Sequence, residues 1–214
     1  MDRTIVYYTG HLEDPIFEEK IVQALKDVAG DIPIISVSQK PMDLGTNICV
    51  GEVGLSDFNA TRQLQIGAIE AKTKWIIWAE SDCLYSPDYF QFTPEREDAS
   101  YRSNNVWIVS WNLKEAYFKS SSECAQIMGR DYLISQIDKY FEGYGYWNEQ
   151  DWTLRKAIVD NTSHQHFHTQ PIINFKTGRG MRKRTKVHKR VKPLHYLDYW
   201  GSIEELGEKY GVFR

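Results

Sequence analysis

The stretch KWIIWAESD, residues 74–82, decides how the chain is read. Lys74 to Ala79 (KWIIWA) has the length and apolar density of a strand covered on both faces. It ends directly in Glu80-Ser81-Asp82. In an open parallel sheet the carboxyl ends of the strands face the ligand crevice. Residues i and i+2 of an extended segment point the same way, so Glu80 and Asp82 aim together. Two carboxylates aimed into one crevice repel unless a cation lies between them. Mg2+ or Mn2+, shared with diphosphate oxygens, satisfies that arrangement and neutralises a departing nucleoside diphosphate.

Upstream, Thr4 to Tyr8 (TIVYY) reads as a buried strand, and Thr9-Gly10-His11 turns out of it. Asp14-Pro15 supplies a helix N-cap and a proline for the first helical position. Phe17, Ile21, Leu25 and Val28 follow at helical spacing as far as Gly30. Ile32 to Val37 is a second strand, and strand-helix-strand is the signature of a right-handed parallel crossover. Ser38 to Gly54 is rich in turn residues, with a short apolar run at Ile48 to Val50. Ser56 or Asp57 caps a second helix running to about Lys72, with Ala60, Leu64, Ala68 and Ala71 as its buried stripe.

Downstream of Pro87 the alternation changes. Asn105 to Trp111 reads as a strand and Tyr117 to Lys119 as part of another. Arg130 to Phe141 is helical, with Leu133, Ile134, Ile137 and Phe141 on one side. After the Gly- and aromatic-rich loop Glu142 to Trp147, a further helix starts near Asn148 and carries Trp152, Leu154 and Ile158. Pro171 to Phe175 is a strand, and a short helix begins at Ser202.

A length of 214 residues with 42% hydrophobic content suits one α/β domain with a real core. The predicted organisation is a single three-layer domain over 1–214, with a mainly parallel central sheet. Residues 1–112 form its ligand-binding half, 113–175 a second half, and 176–214 a basic loop and helix. The apolar runs are strand-sized, and MDRTIVYYTG lacks the apolar core of a signal peptide. The expectation is therefore a cytoplasmic protein without a transmembrane segment. Cys49, Cys83 and Cys124 have no CxxC spacing and read as free, small core residues. HQHFH, His164 to His168, reads as incidental histidines near an exposed turn.

The net charge of −3 hides an asymmetry. Lys176 to Lys192 holds nine Lys or Arg and no acid; removing those nine from 26 basic residues leaves 17 against 29 acidic, a balance of −12. A basic segment on an acidic body implies an anionic partner, either a phosphate, a nucleic acid or the body itself. Gly178 and Gly180 allow close backbone approach, and Arg179, Arg182 or Lys183 can bind phosphate oxygens.

WAESDCLYSPDYF resembles the strand-acid-acid segment of GT-A-fold glycosyltransferases, usually written DxD, with Glu80 in place of the first Asp. TIVYYTG is similar to their first strand and nucleotide loop. SVSQKPMDLGTN is similar to the loop after the second strand in small bacterial and viral members. FNATRQLQIGAIEAKTKWIIWAESD is similar to the helix leading into the metal-binding strand. The resemblance covers residues 4 to 112 well and the remainder loosely. It implies a GT-A-like, Rossmann-like fold and a hexosyl- or pentosyltransferase. Such an enzyme moves a sugar from a nucleoside-diphosphate sugar, with UDP-sugars expected, to an acceptor hydroxyl.

Carried over residue by residue, the resemblance puts Thr9 and His11 beside the nucleoside and lets Gln39 and Lys40 close over base or ribose. Arg62 and Gln63 face the donor sugar or diphosphate. Glu80 and Asp82 flank the ribose and the Mn2+ or Mg2+, with Asp82 as the direct ligand and His188, ahead of His195, as the third one. A carboxylate near Tyr146 to Trp152 takes the acceptor proton, Asp151 first and Glu149 second. Acids there also suit a first helical turn; if neither acts, retention of configuration becomes the reading. Some small viral relatives glycosylate hydroxymethylated bases in DNA, and the basic segment would serve such a substrate. Alternative acceptors are a glycan or a lipid-linked saccharide. A nucleotidyltransferase, or a non-catalytic DNA-binding protein on a transferase-like fold, stays open beside these.

Overall fold

The computed structural model describes residues 2–149, 164–180 and 191–213. Arg3–Thr9 forms β1, and Pro15–Ala29 forms α1. Ile34–Ser38 and Thr46–Cys49 form β2 and β3. Asp57–Glu70 forms α2, Trp75–Glu80 β4, Cys83–Leu84 β5 and Pro87–Gln91 α3. Ser100–Ser103, Val106–Ser110 and Ala116–Ser120 are β6, β7 and β8. Gln126–Gly129 is β9, and Arg130–Phe141 is α4. His164–Phe167 and Ile172–Lys176 are β10 and β11. Tyr196–Leu197 and Gly201–Ser202 are β12 and β13, followed by α5 at Ile203–Tyr210.

The large sheet has seven strands in the order β10-β6-β9-β4-β1-β2-β3. All run the same way except β9, which is antiparallel to both β4 and β6. This is the mainly parallel α/β sheet expected. A second sheet has the order β5-β11-β7-β8, and β12 pairs with β13.

The apolar run of β4 is buried because both faces of the large sheet are covered. Trp75, Ile77 and Ala79 pack on one face with Ile5, Tyr7, Leu25 and Ala29. Ile76 and Trp78 pack on the other with Val6, Tyr8, Leu64, Ala68, Leu133 and Ile137. Helices α1 and α3 thus cover one face, and α2 and α4 the other, giving three layers. A third cluster joins Phe17 and Ile21 of α1 to Ile173 and Phe175 of β11 and to Ile203 and Leu206 of α5.

The caps act as their residue types dictate. Asp14 accepts from the Ile16 amide at 3.0 Å, and Pro15 opens α1. Ser56 caps α2 through the Asn59 amide at 3.0 Å. The second strand begins at Ile34 rather than Ile32, because the Ile32 amide closes the turn after α1 on the Ala29 carbonyl. The stripe expected on α2 is buried at Leu64, Ala68 and Ala71 and only partly at Ala60; Asn59, Arg62, Gln63 and Gln65 are buried as well. The histidine run is not a turn: His164–Phe167 is an edge strand parallel to β6. Cys83 and Cys124 are free and buried, as expected of core residues, but Cys49 is exposed, because it ends the edge strand β3. The helix expected from Asn148, with Trp152, Leu154 and Ile158, lies outside the described residues. Among the described residues, no helix is long and apolar enough to cross a membrane.

Gly67 sets how closely α2 approaches β1. A Cβ there would stand 2.4 Å from Val6 Cγ1 and 3.1 Å from Val6 Cγ2. Val6 is fully buried and β-branched, so it cannot rotate away cheaply. Gly67→Ala is expected to lower unfolding free energy by about 1–3 kcal/mol despite the better helix propensity of alanine. Urea denaturation tests this, and a variant as stable as the parent would refute the packing account.

Candidate functional site

A cleft opens at the carboxyl ends of β1 and β4, where the backbone leaves the large sheet. Its enclosed volume is ≈ 140 Å³, and it is open to solvent at the mouth. Tyr8, Thr9, Glu13, Gln39, Gln63, Glu80, Asp82 and Lys176 are among its walls.

The parallel register sets Tyr8 opposite Glu80, and the Tyr8 hydroxyl donates to Glu80 Oε1 at 2.5 Å. The Tyr85 hydroxyl accepts from the Glu80 amide at 3.0 Å and donates to the Cys124 carbonyl at 2.8 Å, which pins the turn after β4. That turn leads into β5, which pairs antiparallel with β11 so that Cys83 faces Asn174. The Asp82 carbonyl accepts from the Phe175 amide at 2.7 Å. Its carboxylate accepts from Asn174 Nδ2 at 2.9 Å and from the Cys83 thiol at 3.3 Å through Oδ1, and from Lys176 Nζ at 3.0 Å through Oδ2. The side chains of Lys176 and Asp82 are only 13% and 18% exposed, so this is not a solvated surface pair. Burial alone would lower the Lys176 ammonium; the Asp82 carboxylate, with Glu80 behind it, outweighs burial and pushes it up to about 12.

Glu13 is 8% exposed and accepts from Thr177 Oγ1 at 2.5 Å. Burial pushes its carboxyl up to about 7; Asp82 and Glu18 add to the rise, while the Thr177 bond and the Lys176 charge oppose it. The turn after β11 folds over this group. Gly178 has φ +80°, and a Cβ on it would lie 2.9 Å from Trp111 Nε1. A Cβ on Gly180 would lie 2.8 Å from Glu13 Oε1. The two glycines thus allow the close backbone approach expected of them.

The predicted residues divide by placement. Thr9, Gln39, Gln63, Glu80 and Asp82 come together around the cleft. Gln63 Nε2 donates to the carbonyls of Thr9 and Val37, both at 2.9 Å, tying the ends of β1 and β2. Gln39 Nε2 donates to the Gly54 carbonyl at 2.8 Å and its Oε1 accepts from the Val53 amide. His11 and Lys40 stand just behind this wall. His11 has φ +53°, and its ring lies 3.2 Å from Glu18 Oε2 and 3.1 Å from the Lys40 carbonyl. The Lys40 side chain is exposed.

Arg62 does not line the cleft. It lies against the rings of Phe141, Tyr146 and Phe58 at 4.6, 4.8 and 5.5 Å and donates to the Tyr146 carbonyl at 3.1 Å. Its place is to hold the 142–147 loop onto α2. Arg179 reaches back to Asp14 at 2.8 Å on the rim. The Glu149 side chain, on an exposed residue, stands beside Gly54, where a Cβ would be 3.3 Å from its Oε1. His195 is paired with Glu115 at 3.4 Å, in an exposed position. Asp151, Arg182, Lys183 and His188 lie outside the described residues.

Glu13, Tyr8, Asn174 and Lys176 are cleft residues that sequence reasoning did not single out. Asn174 carried a signal, as the one polar residue between the apolar Ile172, Ile173 and Phe175. Glu13 carried none, because its environment is made by residues 164 positions away.

Glu80, Asp82 and Cys83 each offer one ligand atom, all within 4.8 Å of one another. Two features oppose a divalent ion on this group as it is arranged. Burial pushes the Cys83 thiol well above its ordinary value, which keeps it protonated, and hard cations take oxygen. The ammonium of Lys176 already stands against Asp82. The three side chains therefore do not fit Mn2+ or Mg2+ while Lys176 is in place.

No protein-family model matches the sequence, and no curated protein does. Among solved structures, the inositol-1-phosphate CTP transferase from T. maritima is similar with TM-score 0.52 and 10% identity, over 87% of this chain and 92% of that one. A glycosyltransferase involved in the glycosylation of the major capsid of PBCV-1 gives 0.49 and 9%, over 81% and 93%. The bifunctional IspDF from Campylobacter jejuni gives 0.48 and 11%; 79% of this chain is covered, and the chain spans 50% of that protein's length. At these identities the likeness is one of fold. The chain has the GT-A-like α/β fold that the resemblance implied.

The raised pKa of Glu13 has a consequence for stability. A neutral Glu13 stabilises the fold fully below about pH 4.5, the ordinary glutamate value, and that contribution is lost as pH rises through about 7. Relative to Glu13→Gln, the parent protein is expected to lose on the order of 2 kcal/mol of unfolding free energy between pH 4.5 and 8. Denaturant titrations of both proteins across that range test this. A difference that does not change with pH would show that Glu13 ionises normally.

Proposed function

We propose that the chain is a glycosyltransferase that takes its sugar from a nucleoside-diphosphate sugar. The observation that carries this is the convergence of Glu80, Asp82 and Lys176 by the carboxyl end of β4, on the floor of the cleft. The nucleoside lies along the wall of Thr9, Gln39 and Gln63, where the Gln39 and Gln63 side-chain amides brace the backbone that forms it. The diphosphate points toward Lys176 and the Gly178–Gly180 turn. In transfer, the acceptor oxygen bonds to the anomeric carbon as that carbon's bond to the diphosphate oxygen breaks. The acceptor proton passes to a carboxylate, for which Glu149 at the rim and Asp151 beyond the described residues are the candidates. A uridine nucleotide remains the expected donor. For the acceptor, the hydroxymethylated DNA base rests on the basic segment of the sequence alone.

A second reading, a nucleotidyltransferase, is favoured by the fold shared with the CTP transferase. The charge of the cleft favours the first. Glu13, Glu80 and Asp82 surround it, and a triphosphate brings more negative charge into that field than a diphosphate sugar does.

A thermal-shift screen of nucleoside diphosphates and UDP-, GDP- and CDP-sugars, with and without Mn2+, tests the site, with product analysis to follow. One nucleotide class is expected to stabilise the protein, by about 2.7 kcal/mol at one hundred times its dissociation constant. Turnover would release nucleoside diphosphate from a sugar nucleotide. Pyrophosphate release from a nucleoside triphosphate plus a sugar phosphate would establish the second reading, and no shift with any nucleotide would defeat both.

A further inference from the structure

Lys176 raises a question that the acidic pair alone does not. Its side chain projects from β11, which is parallel to β7 and antiparallel to β5. Asn174, two residues earlier on the same strand, holds the other oxygen of the same Asp82 carboxylate. The backbone joins in through the Phe175 amide on the Asp82 carbonyl. Three consecutive residues of one strand therefore grip Asp82, and the ammonium is placed by sheet geometry rather than by a flexible surface loop.

A divalent ion sits about 2.1 Å from a carboxylate oxygen. Lys176 Nζ is 3.0 Å from Asp82 Oδ2, so both cations cannot share that oxygen without strong repulsion. Asp82 Oδ1 is shared by Asn174 and the Cys83 thiol. An ammonium has three donors in different directions, and Asp82 takes one. Lys176 also lines the cleft, which puts its ammonium on Asp82 within the same site. Arg179, three residues on, is paired with Asp14 instead.

We propose that Lys176 takes the place of a divalent cation: held on Asp82, its ammonium meets the diphosphate of the bound donor, and donor binding needs no metal. This rests on the reading of the cleft as a nucleotide-sugar site. It assigns to Asp82 the role of positioning a lysine rather than ligating an ion, and to Asn174 that of orienting Asp82.

Isothermal titration of the full chain with the nucleoside diphosphate selected by the screen tests this, once in EDTA and once in excess Mn2+. The two dissociation constants are expected to agree within about threefold. Lys176→Met should raise the constant in EDTA tenfold or more, and Lys176→Arg should restore most of the loss. If Lys176→Met fails to fold because Asp82 is left unpaired, the Lys176→Met/Asp82→Asn pair removes both charges and should show the same loss. Binding that vanishes in EDTA and returns with Mn2+ would overturn the proposal while keeping the nucleotide site. A Lys176→Met protein that binds normally in EDTA would also overturn it. Absence of binding under every condition would remove the proposal together with the reading it rests on.

Discussion

The Asp82 carboxylate is held by an amide, a thiol and an ammonium, at the place where the chain leaves the large sheet and enters the small one. β4 belongs to the first sheet and β5 to the second, and only Ser81 and Asp82 separate them. The two sheets must therefore meet at this turn. Asn174, Phe175 and Lys176 bond Asp82 from β11 of the small sheet, while Tyr8 bonds Glu80 from β1 of the large one. The same bonds that fix the sheet junction also hold the Asp82 carboxylate in place on the floor of the cleft.

The polar residues of α2 serve the same junction. A helix packed on a sheet normally turns an apolar stripe inward. In its first half α2 instead buries Asn59 and Gln63. Gln63 donates to the carbonyls of Thr9 and Val37, at the last residue of β1 and the last but one of β2. Asn59 donates to Val53 and accepts from the Asn148 amide, drawing two loops to the rim. Lower down, Leu64, Gly67 and Ala68 face the sheet in the ordinary way. The helix is thus apolar where it packs on strands and polar where the strands stop, and that change of character marks the edge of the cleft.

This also separates what was legible in the sequence from what was not. β1, α1, α2 and β4 were legible because their signals are local: a buried strand reads as a continuous apolar run, and Asp14-Pro15 and Ser56 cap helices through neighbours two or three residues away. β6, β9 and β10 went unread. SYRS, QIMG and HQHF are four residues each, and they are strands because neighbouring strands pair with them. The acid pair was legible because both members follow one strand. The role of Arg62 was not, since the rings that hold it come from Phe141 and Tyr146 as well as its own helix. Lys176 was read as one cation in a run of nine, although its partner lies 94 residues earlier.

That separation of Lys176 from its neighbours is itself a statement about charge. Arg179 bonds an exposed carboxylate at the rim, where water screens the pair. Lys176 sits on the acidic floor, with its charge held firmly by Asp82 and Glu80. Glu13 lies between the two environments and is poised to change charge near neutrality. An anion entering the cleft would be drawn by Lys176 and would at the same time raise the cost of a charged Glu13. Linkage then makes anion binding favour the protonated form of Glu13. Occupancy of the cleft would thus be tied to pH through Glu13, whose carboxyl is raised chiefly by burial, with the charge of Asp82 adding to it.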